Sequence, residues 1–327
     1  MKAIVRHEYG QADVLELADL PKPAPAEDEV LIRVRAAALN PLDWHLMRGV
    51  PGFLRLFVGV RKPKKIRLGM DLAGTVVTIG AGVRDFRPGD EVFGAVEGAL
   101  AEYVCGPTSA VVLRPPNVTG EEAAAVPIAG LTALQALRDK GHVKAGDKVL
   151  INGAAGGVGT FAVQISKWLG ASVTGVCSSR NVEVLRGIGA DRVIDYTRED
   201  FTAVSERYDV IFDLVGNRSL AEMRRVLGPT GTFIGCGGGG PDTPASRLLA
   251  GMFKQMIAGW FTKQKLVGIL AKRNKKDLEI LWELMAGGQI KSVIDRRYPL
   301  GEVPDAIRYL EQGHARGKVV IAVDGRE

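Results

Sequence analysis

Two hydrophobic rhythms divide the chain. Over the first third, short apolar runs are punctuated by Pro and Gly, which predicts strands at residues 2–8, 29–38, 72–79, 91–95, 101–104 and 111–113. From Glu121 the pattern changes to helix-length segments separated by Val/Ile-rich runs. Helices are predicted at 123–140, 158–169, 182–188 and 220–227, and strands at 148–152, 172–177, 192–195, 209–214 and 231–235. Strands that are nearly continuously apolar must be buried on both faces, so the alternation predicts a doubly wound parallel sheet in an α/β fold. Residues 265–270 read as a sixth strand and 276–286 as a helix. The last helix, 303–312, and strand, 318–323, have no place left in a six-stranded sheet and are expected to return to the β-rich part. Between Gly240 and the sixth strand, residues 246–262 place Leu248, Leu249, Met252, Phe253, Met256, Ile257 and Trp260 at helical spacing. That stretch reads as a core-facing helix, a lid on an apolar pocket, or a membrane-surface contact.

The strongest local chemistry is Val149-Leu150-Ile151-Asn152-Gly153-Ala154-Ala155-Gly156-Gly157-Val158-Gly159. An apolar strand runs into three spaced glycines, and a helix-forming segment follows. A nucleotide pyrophosphate needs that order: a tight turn, close backbone approach, and a helix N-terminus with unpaired N–H groups and a positive dipole end. The plainer alternative is an ordinary Gly-rich strand–helix turn. About 20 residues on, an NAD site places an acid at the end of its second strand. Here that strand ends Val176-Cys177-Ser178-Ser179-Arg180-Asn181, with two hydroxyls and a guanidinium and no carboxylate. Arg180, helped by Ser178 and Ser179, suits a 2′-phosphate and hence NADPH, unless it only opens the next helix and faces water.

Composition narrows the class. With 46% hydrophobic and 24% charged residues the chain is an ordinary globular protein, long enough for two domains. Cys105, Cys177 and Cys236 lie far apart without a CxxC pair, against a disulfide framework or a cysteine zinc lobe. Arg6, His7 and Glu8 interrupt any secretory apolar segment, and no uncharged run is long enough to span a membrane, so a cytoplasmic protein is expected. The net charge of +6 gathers in Arg61-Lys62-Pro63-Lys64-Lys65-Ile66-Arg67 and Lys272-Arg273-Asn274-Lys275-Lys276. Such runs can meet an anionic membrane or nucleic acid, but they lack interleaved aromatics for base stacking, so no nucleic-acid partner is expected.

Taken together the segments resemble the medium-chain dehydrogenase/reductase superfamily over the full length. The supporting residues are Asn40-Pro41-Leu42-Asp43-Trp44, Gly69-Met70-Asp71-Leu72-Ala73-Gly74, Phe86-Arg87-Pro88-Gly89-Asp90-Glu91-Val92, Gly130-Leu131-Thr132-Ala133, Gly187-Ile188-Gly189-Ala190-Asp191 and His314-Ala315-Arg316-Gly317-Lys318. The resemblance is greatest to the zinc-free quinone oxidoreductases, the branch of the zeta-crystallin-like proteins. It implies a GroES-like β-rich catalytic domain, residues 1–123 and 272–327, and a Rossmann domain with a doubly wound parallel six-stranded sheet, residues 124–271. Zinc members of the superfamily hold metal with a Cys near 40–43 and a His-Glu pair near 70–71. This chain has Asn40, Asp43, Met70 and Asp71 there, and its only histidines are His7, His45, His142 and His314, so a metal-free protein is expected.

Without a Lewis acid the implied reaction is hydride transfer from NADPH to an already electrophilic, hydrophobic acceptor, a quinone or an α,β-unsaturated ketone or aldehyde. By the resemblance, Gly153, Gly156, Gly157, Val158 and Gly159 line the pyrophosphate, and Ser178, Ser179, Arg180 and Tyr196 meet the 2′-phosphate. Thr132, Val215, Cys236 and Gly237 lie near the nicotinamide. Asn40 and Lys318 border the cleft, and Asn40, Asp43 and His45 are the candidate catalytic residues. A homodimer pairing through the strand at 265–270 is implied as well. The alternative from another class is a non-catalytic NADPH-binding protein of zeta-crystallin type that touches RNA.

Overall fold

The computed structural model describes residues 1–237 and 263–323; the predicted amphipathic stretch 246–262 lies outside the described residues. The described residues fall into two compact units. One comprises Met1–Leu131, Arg273–Gly288 and Ser292–Glu327, the other Thr132–Lys272 and Gln289–Lys291.

In the first unit β1 (Lys2–Val5) pairs with β2 (Glu16–Asp19), and a seven-stranded sheet is built around the long strand β3 (Glu29–Ala38). β3 pairs along its length with β4 (Asp71–Ile79), and β4 with β5 (Glu91–Ala95). The first half of β3 also pairs with β6 (Tyr103–Pro107), while β5 pairs with β7 (Val111–Leu113). Alternation places Val30, Ile32 and Val34 of β3 in one core with Leu72, Val92, Val319 and Ile321. β3 runs into helix α1 (Pro41–Arg48), whose start is dictated locally. Asn40 is the N-cap, Pro41 follows it, and the Asp43 carboxylate accepts the Asn40 N–H at 2.7 Å. A short helix α2 (Arg55–Val58) follows, and further on come α3 (Gly120–Ala124) and α4 (Pro127–Gln135).

The second unit holds β8 (Lys148–Asn152), α5 (Gly157–Trp168), β9 (Ser172–Cys177), α6 (Val182–Gly187), β10 (Arg192–Asp195), β11 (Tyr208–Asp213), α7 (Leu220–Val226), β12 (Leu227–Gly235) and β13 (Lys265–Gly268). All six strands are parallel in the order β10-β9-β8-β11-β12-β13, the doubly wound arrangement expected of the alternating region. The chain then rejoins the first unit with α8 (Lys275–Ala286), β14 (Ile294–Pro299), α9 (Val303–Glu311) and β15 (Lys318–Ala322). β15 pairs with the end of β3, so the last strand does return to the β-rich sheet.

Several elements depart from the sequence reading. The strand expected at 101–104 lies at Tyr103–Pro107, because Ala101 bridges to Ala3 of β1 instead. The helix expected across 123–140 is interrupted. α3 is capped by Thr119 with Glu122, Pro127 restarts the chain as the first residue of α4, and a π-helical turn covers Ala136–Lys140. β12 starts at Leu227, earlier than expected. β2 and β14 escaped notice. β14 reads Ile-Asp-Arg-Arg-Tyr-Pro on the sheet edge, where no face is fully buried and alternation disappears.

Candidate functional site

The strand–turn–helix at Gly153–Gly159 forms as its spacing requires, and the glycines have separate reasons. Gly153 turns the chain off β8 at φ +86°, a left-handed conformation that a side chain resists. A Cβ on Gly159 would overlap the Gly153 carbonyl and come within 2.7 Å of Ala154 Cα, so its absence lets α5 seat against the turn. Gly156 is different. It is the N-cap of α5 at φ −80°, and a Cβ there would find its nearest neighbour, the Gly153 carbonyl oxygen, at 3.5 Å. Among the described residues nothing requires that position to be bare, and the space above it is open to a ligand. The first bond of the helix runs from the Thr160 N–H to the Gly156 carbonyl at 3.0 Å, so Gly157, Val158 and Gly159 have N–H groups without intrahelical acceptors. This cradle fits a pyrophosphate.

β8 and β11 are neighbours at the point where the strand order reverses, and their ends carry a polar network. Asn152 Nδ2 donates to Asp213 Oδ1 and to Asn217 Oδ1, both at 2.9 Å, while Asp213 Oδ1 also accepts the Val215 and Gly216 N–H groups. The Cys236 N–H donates to the Asp213 carbonyl at 2.9 Å, and Val215 lies beside Gly153. Gly153, Val215, Cys236 and Gly237 thus gather at the switch point; Thr132 is buried on α4 in the same unit. Asn152, Asp213 and Asn217 were not among the expected site residues. The signal for Asn152 and Asp213 was a polar residue closing an otherwise apolar strand; Asn217, in the loop after β11, had none.

At the end of β9, Ser178 leads into a turn at Ser179–Asn181, and the Tyr196 N–H donates to the Cys177 carbonyl at 3.0 Å. Ser178, Ser179, Arg180 and Tyr196 therefore share one edge, with Arg180 and Tyr196 exposed. The missing acid of the second strand is answered by the third. Asp195, the last residue of β10, accepts Ser179 Oγ at 2.5 Å and the Thr197 N–H and Oγ1, and these bonds, Ser179's foremost, hold its carboxyl below the usual range. Ser179 is committed to that carboxylate.

The first unit buries a second polar cluster at the joint of β3, α1, β4 and β15. Lys318 Nζ donates to Asn40 Oδ1 at 2.7 Å and to Asp71 Oδ2 at 3.2 Å. Asn40 Nδ2 donates to the same Asp71 oxygen at 2.9 Å, and Asp71 Oδ1 accepts the Ile128 N–H at 3.0 Å. Asn40, Asp43, Asp71 and Lys318 are all buried. Sequence reasoning placed Asp71 only as the counterpart of a zinc ligand, and its pairing with Lys318 had no local signal. His45 stands apart from this cluster. Its ring stacks on Trp44 at 3.7 Å and its Nδ1 meets the Val50 carbonyl at 2.8 Å, with burial lowering its pKa. Among the described residues no group of three or more His, Cys, Asp or Glu side chains is arranged to hold a metal ion.

Burial pushes the Asp43 carboxyl up to about 7 and outweighs the Asn40 N–H, with Asp71 adding repulsion and Lys318 opposing it. A carboxyl raised in the folded state keeps a proton that the unfolded chain has lost, so stability falls as pH rises from about 4 towards 7. Asp43→Asn retains an acceptor for Asn40 and removes the titration. Its stability relative to the parent is expected to improve by about 2 kcal/mol between about pH 5.5 and 7, at 1.36 kcal/mol per unit. Urea unfolding across that range checks this, and a constant difference would mean that Asp43 is ionised throughout.

Two family models match parts of the chain. Residues 26–117 match the alcohol dehydrogenase GroES-like domain, and residues 188–321 match the zinc-binding dehydrogenase domain. The chloroplast envelope quinone oxidoreductase homologue of Arabidopsis thaliana is 34% identical, with 98% of each chain covered. The NADPH-dependent alkenal/one oxidoreductase of the same plant is 34% identical over 98% of this chain and 79% of its own. The solved quinone oxidoreductase of Coxiella burnetii is 34% identical with a TM-score of 0.85, covering 99% of both chains. Identity at this level across nearly the whole length of both units, on the same two folds, shows that the chain belongs to the medium-chain dehydrogenase/reductase superfamily of oxidoreductases.

Proposed function

We propose that the chain is an NADPH-dependent, zinc-independent reductase of quinones or α,β-unsaturated carbonyls. The observation that carries this reading is the buried Asn40–Asp71–Lys318 cluster. Where zinc relatives would place metal ligands, an amide and a carboxylate here are already engaged by a fixed ammonium. Oxygen donors held by Lys318 do not fit zinc, which favours thiolate and imidazole and would be repelled by that charge. Chemistry without a Lewis acid calls for an acceptor that is electrophilic in its own right, as quinones and enones are. Relatives named for quinone and for alkenal/one reduction support the same class.

The cradle fits the cofactor, because a Cβ at Gly156 would find no neighbour closer than the Gly153 carbonyl oxygen at 3.5 Å, which leaves the space over the α5 N-terminus open. When bound, NADPH supplies the hydride. In this reading Gly153, Gly156, Gly157, Val158 and Gly159 hold the pyrophosphate through backbone N–H groups and the α5 dipole. Ser178, Arg180 and Tyr196 meet the 2′-phosphate, beside the Ser179–Asp195 pair. Thr132, Val215, Cys236 and Gly237 orient the nicotinamide. Asn40 and Lys318 supply hydrogen-bonding capacity on the acceptor side, and Asp43, titrating near neutrality, holds a proton that can be delivered as the acceptor is reduced. His45 secures the turn at Val50.

The test is acceptor-dependent loss of NADPH absorbance with a quinone and with a medium-chain enone, with and without EDTA, and NADH alongside. EDTA-insensitive turnover favouring NADPH is expected. Absence of turnover with either acceptor despite NADPH binding would overturn the reading. Arg180→Ala is expected to lower the preference for NADPH over NADH by about 10- to 100-fold, the worth of one charge-assisted contact. An unchanged ratio would remove Arg180 from the 2′-phosphate site.

A further inference from the structure

The basic run at 61–67 gains a different meaning once the residues before it are seen in place. Leu56, Phe57 and Val60 are 69%, 75% and 64% exposed, and Phe53 beside them is exposed too. Three large apolar side chains this open, within five positions, form a patch that a water-facing loop does not retain without use. The loop beneath them is built rather than slack. Tyr9 Oη donates to the Gly59 carbonyl at 2.6 Å, the Lys64 N–H donates to the Val58 carbonyl at 2.9 Å, and Arg55 lies over the Tyr9 ring while donating to the Gly49 carbonyl. Arg55 therefore faces inward, and the outward surface consists of the apolar side chains followed by Arg61, Lys62, Lys64 and Lys65, all exposed. Arg61, Lys62 and Lys64 make no ion pair among the described residues.

The two basic runs, about 200 positions apart in the chain, meet here. Lys64, Lys65 and Arg67 from one and Arg273 from the other line a cavity of about 600 Å³ in the same unit. Glu29 and Glu97 are its acids, and Glu97 is engaged by both Lys65 and Arg273, which leaves cations in excess. We infer that this surface docks the chain on an anionic phospholipid bilayer: Leu56, Phe57 and Val60 enter the headgroup–acyl boundary, and the surrounding cations and the cavity receive lipid phosphates.

Charge complementarity selects this occupant. A second copy paired about a two-fold axis here would set Arg61, Lys62 and Lys64 against themselves. A nucleic acid would satisfy the cations and stack a base on Phe57, but it would leave aliphatic Leu56 and Val60 in water. An anionic bilayer satisfies both halves, since apolar insertion and cation attraction act on adjacent residues. The inference deepens the proposed reaction, on which it rests for its purpose: a hydrophobic quinone or lipid-derived enone is dissolved in that bilayer. Docking itself is measured without turnover, so the two can fail separately.

The experiment is co-sedimentation of the full protein with vesicles of phosphatidylcholine alone or containing phosphatidylglycerol, at rising salt, with polyuridylate binding measured in parallel. Binding to the anionic vesicles is expected to exceed that to neutral ones by about ten-fold or more, at about five-fold per engaged cation, and to decline with salt. The double variant Leu56→Ser/Phe57→Ser is expected to lose about ten-fold or more of vesicle binding while melting at the parent temperature, because both side chains already face water. Lys62→Glu/Lys64→Glu is expected to lose the preference for anionic vesicles. Equal binding to both vesicle types, parent-like binding by Leu56→Ser/Phe57→Ser, or capture of polyuridylate with no vesicle binding would each overturn the inference. So would a raised KM for a water-soluble quinone in Leu56→Ser/Phe57→Ser with vesicle binding intact, which would assign the loop to the acceptor. Reduction of that soluble quinone by the parent, without vesicles, reports on the proposed reaction alone.

Discussion

Lys318→Met is expected to destabilise the protein by about 3–5 kcal/mol, the cost of leaving a buried carboxylate without its counter-charge. Lys318 and Asp71 are both buried, and the ammonium is shared between Asp71 and Asn40. Burial already pushes the Asp71 carboxyl above its usual range and Lys318 is the chief opposing influence, so removing the cation raises it further. The variant is therefore expected to lose most stability at high pH, where the unfolded chain ionises freely and the folded one cannot. Replacing both members, Lys318→Met with Asp71→Asn, keeps an acceptor for the Ile128 N–H and is expected to recover much of the loss, since neutral replacement of a buried ion pair is often tolerated. Urea midpoints for the two single variants and the double variant measure the coupling. A double variant no more stable than Lys318→Met would show that the lysine acts by packing alone.

Gly156→Val is expected to abolish cofactor binding, by about 100-fold or more in affinity, with a folded protein remaining. The backbone there is one that any residue adopts, and the nearest atom to an added Cβ is 3.5 Å away, so the fold bears only the loss of a favourable N-cap, within about 1 kcal/mol. The added methyls instead occupy the space over the helix N-terminus where an anion must approach its N–H groups. Gly159→Ala is the contrasting case, because its Cβ overlaps the Gly153 carbonyl and α5 must shift. Calorimetric titration with NADPH beside thermal unfolding separates them: binding lost with stability kept at Gly156, both damaged at Gly159. Undiminished binding by Gly156→Val would remove the cradle from the cofactor site.

How far the site could be read in advance follows the range of the interactions. The glycine turn was legible because its requirements, a positive φ at Gly153 and a bare N-cap at Gly156, are met within seven consecutive residues. The parallel strands were legible because burial on both faces writes itself as continuous Val and Ile. Edge strand β14 was not, since a strand with charges at Asp295, Arg296 and Arg297 carries no such record. Nor was the commitment of Ser179 to Asp195, which depends on β10 lying beside β9.

The sequence by itself determined that a parallel sheet follows a β-rich region, that the last strand returns to that region, and where a glycine turn opens a helix N-terminus. Each of these is set by propensity, periodicity or steric need over short stretches. Only the tertiary structure decided that Lys318 lies between Asn40 and Asp71, 247 residues from the latter, and that two distant basic runs share one cavity beside an exposed apolar loop. The physical reason is that charge pairing and desolvation act through space. They depend on which strands the fold makes neighbours, and local pattern along the chain carries no term for that.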